Sequence, residues 1–488
     1  MRAAKGLGIF LTVFGCKLWL IDSCAVSCPF WDEWDVEASA LFKPILENMY
    51  LWKNLLAPHN EHHLLMTRLL GLALFKLNGL WDPRLAMAVN AAVHSLTAAA
   101  FYWAGTKLTR EKWLDWFWTA LVLAVFALPL AFEDPLMGLQ SQVYSVILFS
   151  AAAVWLFARS EPFTVPWALG LLAALAAHLS MASGMLSALA GAAIIALKCL
   201  AERRWTVRRA AGLAVLSGLF ILGYLHLPSM GGSVSSKAAS LAAFSGVFSK
   251  MLSAPGFSNG WLAAVIWLPF FAFLALRLRE RAELSKEDLL LFGYGSLVIL
   301  TAAALAYGRG GVPGIPSRYF DFLLPGLLVN FLAIAALLDG LPQNFRARLA
   351  LAAAFWGLLA VSGFWNQTLH QMTHGIPAKK ELGRIQQANV KEYLATGDFS
   401  HLKDKPWCHI PYPSASAGEL KAFLDDPTIQ SFLPESIRPP SQGGKTGRLT
   451  AALAALLKNW IEFARPGVII LLGLFFYRIF KDETASTP

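Results

Sequence analysis

Unbroken apolar segments of about twenty residues recur along this chain, and no other feature limits its fold as strongly. They fall at about 7–26, 84–105, 113–131, 141–158, 164–181, 184–200, 209–228, 260–276, 287–307, 319–338, 348–365 and 466–480. A helix needs about 20 apolar residues to cross the hydrocarbon core of a bilayer, and in lipid the backbone must satisfy its own polar groups. The runs are continuous rather than alternating, which argues against a membrane barrel. The expected fold class is therefore an all-α polytopic membrane protein with about twelve transmembrane helices. Composition agrees, with 15% charged residues against about 25% in an ordinary soluble domain.

The N-terminal run also has the look of a signal peptide, with Ala25-Val26-Ser27 as a small-residue cleavage site. A retained first span is the reading adopted. The formal charge of +10 is carried largely by one alternating set of loops. These hold Arg2 and Lys5; Lys107, Arg110 and Lys112; Arg203, Arg204, Arg208 and Arg209; Arg277, Arg279 and Arg281; Arg346 and Arg348; and Arg478 and Lys481. The positive-inside rule places this set, and both termini, in the cytoplasm. No basic tract with interleaved aromatics lies elsewhere, so nucleic acid is not an expected partner.

Three regions follow. Residues 1–366 form a transmembrane core with a large outer loop at 28–80; 367–447 are a polar extracytoplasmic segment; 448–488 are a C-terminal helix and cytoplasmic tail. Within the first loop, Leu41, Ile45, Met49, Trp52 and Leu56 recur at helical spacing, which predicts an amphipathic helix on the membrane surface. A second, interfacial or re-entrant helix is expected at about 64–78. Cys24, Cys28 and Cys408 lie near the outer face, where a disulfide among them is one option. There is no CxxC or Cys/His spacing of a structural zinc site.

Four polar motifs lie on the outer side. In Cys28-Pro-Phe-Trp-Asp-Glu-Trp-Asp-Val-Glu37, Asp32, Glu33, Asp35 and Glu37 cluster where the chain leaves the membrane. They suit a general base, a metal site or a polar headgroup; the alternative is a solvated loop anchored by Trp31 and Trp34. His59, His62 and His63 fall at i, i+3, i+4 and would share one face of a helix, ready to bind metal or phosphate. The alternative is a helix capped by Asn60 with exposed histidines. Glu133 and Asp134 sit in a short loop, where acids near a bilayer are costly unless paired or used; otherwise they merely end a span before Pro135. Arg309 and Arg318 flank Gly310-Gly-Val-Pro-Gly-Ile-Pro-Ser317, either as phosphate-binding forks or as snorkelling cations. His94 and His178, inside apolar spans, read as satisfied packing histidines.

One span, a large outer loop opening on acids, many further spans and late arginines together resemble the GT-C superfamily of integral membrane glycosyltransferases. Phe30-Trp-Asp-Glu-Trp-Asp35, His59-Asn-Glu-His62 and Ser317-Arg-Tyr319 are similar to stretches in uncharacterised bacterial members. The resemblance implies an inverting sugar transfer from a polyprenyl-phosphate donor at the outer face of the bacterial cytoplasmic membrane. It implies Asp32 or Asp35 as base, Glu133 or Asp134 as the second-loop acid, and Arg309 or Arg318 as the phosphate-binding arginine; with the histidine motif, the candidate substrate or phosphate ligands are His59, His62, Arg309 and Arg318. Some members use a divalent metal ion and others do not; in the first case Glu133 and Asp134 would hold it. The implied partners are the lipid-linked donor, membrane lipids, and an acceptor glycan, lipid or protein. The rival reading is a multi-span transporter or lipid flippase, against which stand the lack of an internal repeat, the uneven outer loops and the few charges at mid-membrane. A third is a scaffold whose 367–447 segment binds partners.

Overall fold

The computed structural model describes the chain apart from residues 50, 110, 228–235, 257–259, 281–283, 312–313, 341–342, 414–415, 439–445 and 486–488. Arg110, Arg281 and parts of the loops expected at 229–260 and 308–318 lie outside the described residues. The protein is 79% helical and all-α; the one sheet among the described residues is a two-stranded hairpin.

Among the described residues, ten helices have the length and apolarity to cross a membrane: Arg2–Cys24, Pro83–Gly105, Trp113–Ala131, Gly138–Arg159, Ala182–Glu202, Val207–Leu225, Leu262–Glu280, Lys286–Arg309, Ser317–Asp339 and part of the long helical stretch Arg348–Thr396. An eleventh is added if Thr450–Lys458 and Ile461–Arg478, bent by 42° at their junction, count as one span. The expected twelfth differs. The apolar run at 164–181 forms a helix only over Val165–His178, about 21 Å long at 1.5 Å per residue and short of the roughly 30 Å core. It stops because Leu179–Ala182 turns to meet the first loop: the Leu179 carbonyl accepts from the Leu65 amide at 2.9 Å.

Local sequence explains where spans begin. Asp82 accepts the Arg84 amide at 3.1 Å with Pro83 in the first turn, Thr206 accepts the Arg209 amide at 3.2 Å, and Ser285 with Asp288 forms a capping box. Each satisfies amides that a helix start leaves open. The bundle is closed by two helices that approach backbone to backbone. A Cβ at Gly15 would lie 2.5 Å from the Ala464 amide nitrogen, and one at Gly8 would lie 3.2 Å from the Gly467 carbonyl. Small residues permit this contact, which drives helix association in lipid.

Ion pairs gather at one end of the bundle: Lys5–Asp115 at 2.6 Å, Lys107–Glu287 at 3.1 Å, Arg159–Glu287 at 3.6 Å, Arg277–Asp288 at 3.2 Å and Arg209–Glu161 at 3.3 Å. These tie together the helix ends that carry the basic loops, including the N-terminal one. We call this the basic end.

The opposite end carries a cap. Its core is shared between the first loop and the segment after residue 370: Trp34, Phe42, Phe75 and Trp81 pack with Tyr412, Leu420, Leu424 and Phe432. Phe42 stacks on Phe75 at 4.5 Å, and Phe432 meets both edge-on. The surface helix expected from Leu41 to Leu56 is not continuous. A π-helix, Trp34–Phe42, runs into Lys43–Leu46 and breaks at Asn48, whose φ is +58°. Leu41 is wholly buried in the cap, whereas Trp52 is 72% exposed; helical spacing linked residues that the break separates. The second helix, Leu65–Asn78, stands where expected and ends at Gly79, φ +80°.

Candidate functional site

The four acids of the first loop have four different environments. The turn that presents them is pinned by the Trp31 amide, which donates to the Pro411 carbonyl at 2.7 Å, and by the Trp34 indole, which donates to the Pro29 carbonyl at 3.0 Å. Glu33 is buried and accepts the amides of Phe30 at 2.6 Å and Leu139 at 3.2 Å; burial pushes its carboxyl up to about 7. Glu37, also buried, accepts the Trp81 indole N–H at 3.0 Å and is pushed up to about 8 by burial and then by the charge of Glu33. Asp35 is held by the Tyr412 hydroxyl, 3.0 and 3.1 Å from its two oxygens and 3.1 Å from Glu419. Burial raises the Asp35 carboxyl, and the Tyr412 hydrogen bond opposes that. Asp32 alone faces solvent, its side chain 42% exposed, with the His59 imidazole at 3.7 Å. The two carboxylates expected as alternative bases are therefore unlike: Asp32 is open and Asp35 is tied to the cap.

The histidines are brought together by a hairpin and not by the expected helix. Pro58–His59 pairs antiparallel with His62–His63, and His59 lies directly opposite His62. Asn60 makes the turn at φ +52°; asparagine tolerates that left-handed conformation. Strand alternation leaves His59 and His62 on one face, while His63 meets His178 edge-on, ring centres 5.8 Å apart. His62 Nδ1 accepts the Ala182 amide at 3.4 Å, and burial holds its imidazole below the ordinary range. Glu61 at the tip pairs with Arg309 at 3.5 Å, so that guanidinium, expected as a phosphate ligand, also anchors the hairpin.

The side chains of Glu133 and Asp134 have different surroundings. Glu133 accepts the Ser317 hydroxyl at 2.7 Å and the Arg318 amide at 3.2 Å. Asp134 is fully buried, and neither of its oxygens has a hydrogen-bond donor; burial, with the charges of Asp321 and Glu133, holds its carboxyl well above the usual range. Among the described residues no group of three or more His, Cys, Asp or Glu is arranged to hold a metal ion. All five cysteines are free, so Cys24, Cys28 and Cys408 form no disulfide.

Arg318 lies with its guanidinium 5.6 Å over the Tyr319 ring. A second cation joins this region from the other side of the sequence. Lys379, on the helix Ile376–Thr396, sits 3.6 Å over the Phe30 ring, where the charges of Glu133, Glu33 and Arg318 act on it. Nothing in the Lys379-Lys380 pair distinguishes it in sequence from a solvated helix face. The buried Glu33 and Glu37 had a fainter signal: they are four residues apart, one helical turn, with Trp34 and Val36 between them. His94 and His178, expected to be satisfied by packing, each leave Nδ1 without a partner.

The site thus consists of an open acid–imidazole pair, a polar hairpin, an acid that organises the Ser317–Arg318 turn, and two cations. Comparison of the chain with protein families, curated proteins and solved structures gives no match. The protein these features define is a many-helix membrane protein with a polar site at the capped end of its bundle.

Proposed function

We propose that the protein is a membrane glycosyltransferase of GT-C type that moves a sugar from a polyprenyl-phosphate donor to an acceptor at the outer face of a bacterial cytoplasmic membrane. The observation that carries this reading is the exposed Asp32 beside His59, at the same capped end as Arg318 and Lys379. The basic loops collected at the other end support cytoplasmic termini and an outward-facing cap.

In the reaction, the donor's prenyl tail stays in lipid and its phosphosugar reaches the cap. Asp32 takes the proton of an acceptor hydroxyl as that oxygen attacks the anomeric carbon. The bond from that carbon to the phosphate oxygen breaks, and the lipid phosphate leaves with the electron pair, stabilised by Arg318 and Lys379. A single displacement inverts the anomeric centre. Asp35, tied to Tyr412, holds the shape of the loop rather than accepting the proton. Transfer from a polyprenyl-phosphate sugar in proteoliposomes tests the reading. Asp32→Asn is expected to cost about 10²–10⁴-fold in rate, and Asp35→Asn far less. Wild-type transfer by both single variants and the double variant would remove Asp32 from the mechanism.

A transporter or flippase is the second reading, favoured by one observation: Lys17, His94 and Asp321 are buried within the bundle. Movement of the lipid-linked sugar across the same vesicles without formation of a glycosidic product would favour it.

A further inference from the structure

We propose that the junction between cap and bundle holds a second ligand site, a cavity that binds a sugar ring of an uncharged glycan. Binding there does not depend on sugar transfer. The cavity measures about 370 Å³, within the range of about 300–1,000 Å³ typical of small-molecule sites and far beyond the roughly 10–15 Å³ that one water needs. Three helix ends form one side. Ser27 follows the end of Arg2–Cys24, Asp82 and Arg84 stand at the start of Pro83–Gly105, and Thr450 opens Thr450–Lys458. The cap forms the other side, through Trp81, through Gln387 on Ile376–Thr396, and through Glu435 and Ser436 beyond Pro427–Phe432. Asp32, His59, Arg318 and Lys379 do not line it, so it is a place apart from the acid–imidazole pair.

The lining selects the ligand. Its cation is already engaged: Arg84 grips Asp82 through Nε at 3.2 Å and Nη2 at 3.0 Å, and its amide donates to the same carboxylate at 3.1 Å. A bidentate pair of this kind leaves little attraction for an incoming anion. The other charge in the lining is the Glu435 carboxylate, which accepts the Thr446 hydroxyl at 3.4 Å and repels phosphate. An anionic headgroup therefore finds no counter-charge. What the cavity offers instead is neutral. Gln387 Oε1 and Ser436 Oγ are buried and have no hydrogen-bond partner, a cost that lasts until an occupant donates to them. The Ser27 and Thr450 hydroxyls and the Gln387 amide can each donate and accept, which matches the hydroxyls of a sugar. Leu80 and Val26 add apolar surface. Trp81 adds an apolar ring fixed in place, because its indole N–H is committed to Glu37 at 3.0 Å. A pyranose is apolar across its C–H faces and polar around its hydroxyl rim, so it suits both parts of this lining. An inorganic ion or an acyl chain suits only one.

The experiment is ligand-observed NMR on the full chain in nanodiscs. The probes are the methyl glycosides of glucose, galactose, mannose and N-acetylglucosamine, with inorganic phosphate and phosphoethanolamine as the anionic and zwitterionic comparisons. At least one glycoside is expected to bind with a Kd in the millimolar range, as suits a ligand of about a dozen heavy atoms, and to slow hydrogen exchange of the amides of 78–84 and 433–438. Gln387→Leu combined with Ser436→Ala is expected to weaken that binding about 10-fold, from the loss of two hydrogen bonds. Thr450→Trp, which fills the rim, is expected to abolish it. The proposal is overturned if none of the four glycosides binds, if binding slows exchange elsewhere only, or if the lining variants bind as the wild type does. Binding of phosphate or phosphoethanolamine alone would make this a headgroup site and overturn it equally. Where the double variant does not fold, Thr450→Trp and the exchange pattern of the wild type decide.

Discussion

Glu37 offers the sharpest quantitative handle on the cap. Its carboxyl is 3% exposed, bonded only to the Trp81 indole, and raised from 4.5 to about 8. A group raised on folding stabilises fully below its unfolded value, and that stability is lost as pH rises toward its folded value. At about 1.4 kcal/mol per pH unit, the interval from 4.5 to about 8 amounts to roughly 5 kcal/mol, of which about 3–4 is gone by pH 7. Glu37→Gln is close in shape, keeps an acceptor for Trp81 and has no proton to bind, so it removes this dependence. The assay is hydrogen exchange of the amides of 34–42 between pH 5 and 8, corrected for intrinsic rates. Opening free energy in the wild type should fall by up to about 1.4 kcal/mol per pH unit more than in Glu37→Gln. Buried acids that do not interact with Glu37 add to both slopes and cancel in the difference, whereas Glu33, whose charge acts on Glu37, titrates with it and is part of what the difference reads. Parallel slopes would refute the reasoning, since they would mean that Glu37 is ionised in the folded cap. Glu33→Gln should shift the wild-type curve to lower pH, because the Glu33 charge is the second cause of the Glu37 shift.

Gly15→Val should lower the thermal midpoint by an amount equivalent to about 1–3 kcal/mol of overpacking, because the added Cβ meets the Ala464 backbone; an unchanged midpoint in detergent scanning would contradict the close approach. Phe42→Ala, at the centre of the cap's aromatic cluster, should cost about 3–5 kcal/mol, read as faster exchange in 34–42 and 420–432 with the spanning helices unaffected. Arg318→Ala and Lys379→Met should each weaken donor use by about 10–100-fold, as expected for one charge-assisted contact worth about 1.5–3 kcal/mol, measured as kcat/KM for a polyprenyl-phosphate sugar. Additive losses in the double variant would show that the two cations do not share a ligand.

The spanning helices were legible because their signal is local: length, apolarity and caps such as Asp82-Pro83 and Ser285-x-x-Asp288. What escaped were features set by distant contacts. Helical spacing of Leu41 to Leu56 suggested one surface helix, yet the turn at Asn48 and burial of Leu41 against the later segment broke it. The histidine motif was read at helical period, but Asn60 reverses the chain; His59 and His62 do meet, by cross-strand pairing. Asp32 and Asp35 could not be ranked from sequence, since what separates them is Tyr412, which lies 377 positions from Asp35. Lys379 showed no local anomaly; Asp321 did show one, as the lone charge in the apolar run at 319–338, and it was passed over. The site is thus visible in sequence as a set of polar exceptions, while the division of labour among them depends on partners that only folding supplies.

The shared core of the cap has a consequence for synthesis. A chain emerging from the ribosome inserts its apolar helices in order, each stabilised within itself. The first loop, however, cannot bury Trp34, Phe42 and Trp81 until Tyr412, Leu420 and Phe432 have been made. For most of translation the segment bearing Asp32 therefore waits, its aromatics at the membrane surface and its acids in water. Contacts of such long sequence separation form last. Competence arrives in one late step, after the spanning bundle is largely in place, and chains cut short before residue 412 would insert normally yet never assemble the pocket.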